Sequence, residues 1–134
     1  MYLFDTDTIT NIFKKKPSAK LLRKLQAIDP PDQHISTITI SEIVYGAYKS
    51  PRPDYHMDNL QNVLLPTVNI VGFDSRAAYI CGRLRAQLEK KGTSVSFADL
   101  QIGAIAMANE LTLISGNIKH FKRIPGLSVE NWLK

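Results

Sequence analysis

Apolar residues along the chain fall into short continuous runs and longer stretches with helical spacing. The short runs predict strands at Tyr2 to Asp5, His34 to Ile38, Val68 to Phe73, Leu111 to Ser115 and, last, Leu127 to Val129. Between them lie the helical stretches. Thr8 to Lys16 predicts a helix capped by Asp7 and ended by Pro17, and Pro17 to Ile28 a second with Leu21, Leu22 and Leu25 on one face, stopped by Asp29-Pro-Pro-Asp32. Thr39-Ile-Ser-Glu42 reads as a capping box opening a third helix. Ser50 to Asp54 is a linker, followed by a helix over Tyr55 to Leu64. Asp74 caps a long amphipathic helix in which Ala77, Ile80, Leu84 and Leu88 share a face, and Gly92 ends it. A second capping box, Ser96-Phe-Ala-Asp99, leads into an almost wholly apolar helix from Leu100 to Ala108, which belongs at the centre of the fold.

Short apolar strands alternating with helical crossovers predict an α/β fold, a mostly parallel sheet covered by helices on both faces. The 134 residues make one domain, 1–134, with room for a single sheet and its helices. In such folds ligands bind beyond the carboxyl ends of the strands, so the residues at those ends are the candidate site. Asp5 ends the first strand, Glu42 opens the helix after the second and Asn117 follows the strand Leu111 to Ser115; Asp99 opens the buried helix, and nothing in the sequence explains where it points.

Each of these residues also has a purely structural reading. Asp5 accepts backbone donors in a turn, Glu42 and Asp99 occupy the fourth positions of capping boxes facing positive helix ends, and Asn117 takes a left-handed turn after Gly116. The recurrence of acids at strand-to-helix junctions favours the functional reading. Gathered carboxylates repel one another, and no basic side chain stands beside them in the sequence to neutralise them. A hard divalent cation does so naturally, and Mg²⁺ needs few protein ligands because it keeps several waters. Carboxylate-bound Mg²⁺ suits phosphodiester hydrolysis.

Composition narrows the alternatives. A net charge of +5 fits a polyanionic partner. The longest apolar stretches, such as Ile102 to Ala108, are too short to span a bilayer, so no membrane association is expected. Met1 leads directly into a strand, without the pattern of a secretory signal, and the lone Cys81 cannot form an internal disulfide; a reducing cytoplasm is the expected setting. Cys81 reads as a packing residue within its amphipathic helix. His34, His56 and His120 lack zinc-ligand spacing, and no phosphate-binding glycine loop is present. Lys119-His-Phe-Lys-Arg123 reads either as a grip on a phosphate backbone or as a solvated basic loop, and Lys14-Lys-Lys16 as a favourable helix C-terminus.

FDTDTI at the N-terminus, ISEIVYGA, SFADLQIGAIA and TLISGNIKHFKRIPGLSVENWL together resemble a VapC-type PIN domain, the toxin half of a bacterial toxin–antitoxin pair, and the resemblance covers essentially the whole chain. It implies a three-layer PIN-like fold and a metal-dependent endoribonuclease with Asp5, Glu42 and Asp99 holding Mg²⁺, or Mn²⁺ in its place. Asp7 lies in the first motif and is expected to assist through water. Asn117 stands where many PIN domains have a fourth acid, which favours one metal over two. The C-terminal segment is similar to that of VapC members that cut initiator tRNA, making tRNA the expected substrate. A homodimer and a cognate VapB-like antitoxin are the implied partners, with apolar surface for one of them expected on the helical pair from Glu42 to Leu65, tested at Tyr45 and Leu60. Two rivals remain. Phe4-Asp-Thr-Asp-Thr8 fits the opening of a haloacid-dehalogenase-like phosphatase, but the last third lacks that family's distal acidic pair. The other is a PIN-like module that binds without catalysis.

Overall fold

In the computed structural model, which describes residues 1–134, the strands β1 (Tyr2–Phe4), β2 (Gln33–Ser36), β3 (Asn69–Val71), β4 (Thr112–Ile114) and β5 (Val129–Glu130) form one sheet in the order β3-β2-β1-β4-β5. Every pairing is parallel, where a mostly parallel sheet was expected. Alternation within the strands divides the core. Leu3 and Leu113, paired in register, face one side with Ala77, Leu84, Ile102 and Ile105; Phe4 and Ile114, also paired, face the other with Ile9, Leu21, Ile35 and Trp132. The result is a three-layer arrangement with a core on each face of the sheet.

The helices are α1 (Thr6–Ile12), α2 (Ala19–Gln26), α3 (Thr37–Lys49), α4 (Pro53–Asp58), α5 (Ser75–Lys90), α6 (Phe97–Ala108) and the single turn α7 (Ile118–Phe121). The expected Tyr55 to Leu64 helix starts at Pro53 and passes into a π-helical segment, Asn59–Leu64. Asp74 caps α5, with its carboxylate accepting from Ala77 N at 3.0 Å, and Gly92 ends that helix at φ 68, where a side chain is strained. As the apolar pattern predicts, α6 is buried along most of its length and packs against α5. No helix is long and apolar enough to cross a membrane.

Several predicted boundaries and caps are corrected. Helix α1 begins at Thr6, not Thr8, because Asp5 is the residue in extended conformation (φ −75, ψ 164) and its carboxylate, not that of Asp7, accepts from the first helical amide. It ends at Ile12, so Lys14 to Lys16 lie in an exposed bend beyond the helix. Strand β2 stops at Ser36, whose hydroxyl caps α3 by accepting from Thr39 N at 3.0 Å. Thr39 is therefore inside the first turn, and Glu42 lies beyond reach of any capping box. Asn117, at φ −97, is not left-handed.

Candidate active site

The sheet order makes β1 the point at which the chain turns outward in both directions, to β2 and β3 on one side and to β4 and β5 on the other. Loops leaving adjacent strands at such a point diverge to opposite faces and open a crevice. Asp5 stands at its floor. It is 8% exposed, its Oδ1 accepts from Thr6 N at 2.8 Å, and its Oδ2 accepts from Ser115 Oγ at 2.8 Å. Burial, helped by the charges of Asp7 and Asp99 and opposed by the bonds from Ser115 and Thr6, raises its pKa from 3.8 to about 6.

Thr6 links this floor to the next acid. Its hydroxyl donates to Glu42 Oε1 at 2.9 Å, so one residue bonds Asp5 through its amide and Glu42 through its side chain. Glu42, in the second turn of α3, is exposed to solvent at the rim of the crevice. On the other side Ser115 relays from Asp5 to the loop after β4, its Oγ accepting from Asn117 N at 3.0 Å. Asn117 is exposed and its side chain makes no capping bond, leaving the amide open toward solvent. Asp99 opens α6; Ser96 Oγ accepts its amide at 3.2 Å, while its Oδ2 accepts from His120 Nε2 at 2.8 Å.

Asp7 has a structural partner. Its Oδ2 accepts from Gly116 N at 2.9 Å, so the carboxylate latches the loop after β4 to α1. A Cβ at Gly116 would lie 2.8 Å from that oxygen and 2.8 Å from Leu133 Cδ1, which is why glycine stands there. One oxygen of the second acid of Asp5-Thr-Asp7 is thus engaged by the scaffold.

The structure thus gathers Asp5, Glu42, Asp99 and the backbone of Asn117 at one sheet edge through Thr6, Ser115 and His120. Sequence reading passed over Thr6 and Ser115, although both adjoin strand ends and the rule that selects Asp5 selects them too. It placed His120 in a basic segment, missing that three residues beyond Asn117 is one helical turn.

Arg85 forms an ion pair with Glu89, and His120 hydrogen-bonds Asp99; no lysine or arginine pairs with Asp5, Asp7, Glu42 or Asp99. No three His, Cys, Asp or Glu side chains close into a cage. The donor set nonetheless fits Mg²⁺ or Mn²⁺, since all its ligands are hard oxygens and Mg²⁺ is ordinarily held by one or two carboxylates with waters completing the shell.

Residues 2–127 match the PIN domain family. The chain is 34% identical to ribonuclease VapC2 of Rickettsia felis, over 100% of this chain and 99% of that protein. It is 33% identical to the tRNA(fMet)-specific endonuclease VapC of Salmonella typhimurium, over 98% and 99%. The crystal structure of DNA-bound VapBC from Salmonella typhimurium contains a chain that superposes with a TM-score of 0.90 at 30% identity, covering 98% of this chain and 97% of that one. Strand order, crevice and full-length similarity agree: this chain belongs to the PIN domain family and, within it, to the VapC group.

Proposed function

We propose that the protein is a divalent-metal-dependent endoribonuclease, the toxin of a VapBC-type toxin–antitoxin pair, which hydrolyses phosphodiester bonds in tRNA in the cytoplasm. The observation that carries this reading is the hydrogen-bonded chain from Glu42 through Thr6 and Asp5 to Ser115 at the crevice floor, with Asp99 close enough to raise the Asp5 carboxyl. Asp5, Asp99 and Glu42 would hold one Mg²⁺ or Mn²⁺ ion, one or two of them directly and the rest through its waters. Such an ion neutralises charge on a phosphodiester and lowers the pKa of water beside it. Asp5 is set for this by its neighbours: Thr6 N and Ser115 Oγ fix both oxygens, so the carboxylate is already oriented. Asn117 offers an uncharged amide at the crevice mouth, suited to a phosphate oxygen or sugar hydroxyl without adding repulsion. The tRNA assignment is supported by similarity to a tRNA(fMet)-specific endonuclease and by the +5 charge.

A groove of about 530 Å³ runs from Thr6 and Glu42 between α1, α3 and α4, lined by Ile9, Phe13, Ile43, Tyr55 and Leu60. Its apolar walls beside an acidic end suit an antitoxin segment carrying apolar residues followed by a basic one, in keeping with the expected VapB-like partner.

Purified, antitoxin-free protein incubated with total tRNA tests the activity, with Mg²⁺ or Mn²⁺, with EDTA, and beside Asp5→Asn and Asp99→Asn. Discrete cleavage products that require metal and disappear with either substitution are expected. Cleavage that persists in EDTA or in both variants would refute the reading.

A further inference from the structure

We infer that His120 is a positioning residue for Asp99, holding one carboxylate oxygen by hydrogen bond so that the other is presented to the cation site. The inference rests on the proposed metal site and concerns a residue outside its acids.

The first observation is geometric. Ser96 and Asp99 have the spacing of a capping box, and half of it forms, with Ser96 Oγ accepting from Asp99 N at 3.2 Å. The reciprocal half, a carboxylate folded back onto the Ser96 amide, is replaced by the contact to His120 Nε2 at 2.8 Å. Asp99 is thereby turned from its own helix terminus toward α7. A carboxylate can only accept, so the proton of this bond resides on Nε2 whatever the charge of the ring.

The second observation is the rigidity of what carries His120. It lies one turn beyond Asn117, whose amide is held by Ser115 Oγ, and the intervening loop is latched by Gly116 N to Asp7 Oδ2. Phe121, fully buried, anchors the following residue in the core. The two side chains are 26% and 23% exposed, so the bond is partly shielded from water. A carboxylate with one oxygen fixed has lost most of its rotational freedom before a cation arrives, and outer partners of this kind typically change metal affinity by roughly 10–100-fold. Asp5 is likewise oriented by neighbours, there through both oxygens, by Thr6 N and Ser115 Oγ.

Two substitutions separate hydrogen bonding from packing. His120→Phe retains a ring beside Phe121 and removes the donor, whereas His120→Gln retains a donor and removes the ring. Calorimetric titration of Mn²⁺ into the metal-free protein at one fixed pH, with Asp5→Asn alongside and melting temperatures recorded for each, reads affinity without relying on cleavage. A loss of roughly tenfold or more is expected for His120→Phe, with His120→Gln recovering most of it. Parental affinity in His120→Phe overturns the inference, as does a loss in His120→Gln that His120→Phe does not share. Tighter Mn²⁺ binding by His120→Phe also overturns it, because the imidazole then competes with the cation. If Asp5→Asn abolishes binding while both His120 variants bind normally, this inference alone fails. If the parent chain binds no Mn²⁺, the metal-site reading fails with it.

Discussion

At the scale of single residues, Asp5 gives the sharpest physical signature. Its carboxyl titrates near 6 in the folded chain, against 3.8 for the free side chain, because burial disfavours the charge. Between those values the folded chain holds a proton that the unfolded chain has released, so the contribution of Asp5 to stability falls as pH rises through this window. Above it, the ionised carboxylate costs the metal-free fold on the order of 3 kcal/mol. Asp5→Asn, without metal at neutral pH, should therefore melt several degrees above the parent by calorimetry, and the gap should close as the pH approaches 3.8. A lower melting temperature would mean that the bonds from Ser115 and Thr6 outweigh desolvation. Mn²⁺ affinity of the parent should rise as pH passes upward through 6, since binding must displace that proton. Gly116 gives a second residue-scale prediction. Gly116→Ala places a methyl 2.8 Å from Asp7 Oδ2 and should destabilise the chain by about 1–3 kcal/mol, read in denaturant titration. Asp7→Ala in the same chain should recover part of that loss, because it removes one of the two clashing groups.

At the scale of elements, the helical pair after Glu42 separates surface from core more sharply than its sequence implies. Tyr45 is 63% exposed on α3, whereas Leu60, in the π-helical segment, is 3% exposed and belongs to the core beneath Phe4 and Trp132. Leu60 thus lines the groove from beneath while packing in the core, and it is a poor probe of docking: Leu60→Glu buries an unpaired charge and should cost more than about 3 kcal/mol, seen as loss of the cooperative thermal transition. Tyr45→Glu should leave the melting temperature nearly unchanged and is the clean probe of docking. Intact co-purification with antitoxin together with an unchanged elution volume in size-exclusion chromatography would exclude Tyr45 from antitoxin binding and from self-association. The caps carry a related lesson. Ser96 and Asp74 cap as their spacing predicts, but Thr39 gives way to Ser36, because β2 ends sooner than its apolar pattern suggests and the first hydroxyl after the strand takes the amide.

At the scale of the molecule, charge sets how a polyanion would be held. With a net charge of +5, any binding of tRNA by the Asp99→Asn protein in EDTA should weaken steeply with salt. Lys119 and Lys122 are exposed on either side of His120, near the crevice, while Arg123 donates to Ser94 O and so also braces the fold. Replacing both lysines by Gln should lower affinity and flatten the salt dependence by roughly one unit of slope for each phosphate no longer neutralised, measured by filter binding across a salt series. An unchanged slope would assign this segment the role of a solvated loop.

Pattern and spacing suffice for the layers of the fold and for the acids of the candidate crevice. Apolar strands alternating with helices admit little besides a parallel sheet covered on both faces, and residues at strand ends necessarily gather at one edge of it. Asp5 and Asn117 were legible for that reason, and Glu42 because its helix follows β2; Asp99 follows a helix, so its place at the crevice was not legible from strand ends, while the apolar pattern of α6 announced its buried course. The pairings come from the strand order. That Thr6 joins Asp5 to Glu42 across 36 positions, that Ser115 reaches Asp5 across 110, and that Asp99 abandons its capping box for His120 depend on which strands are neighbours. So does the assignment of Asp7 to a loop latch, since its partner Gly116 lies 109 residues away. Local spacing carries caps and periodicity, but a hydrogen bond between distant segments is fixed only when strand order brings their ends together.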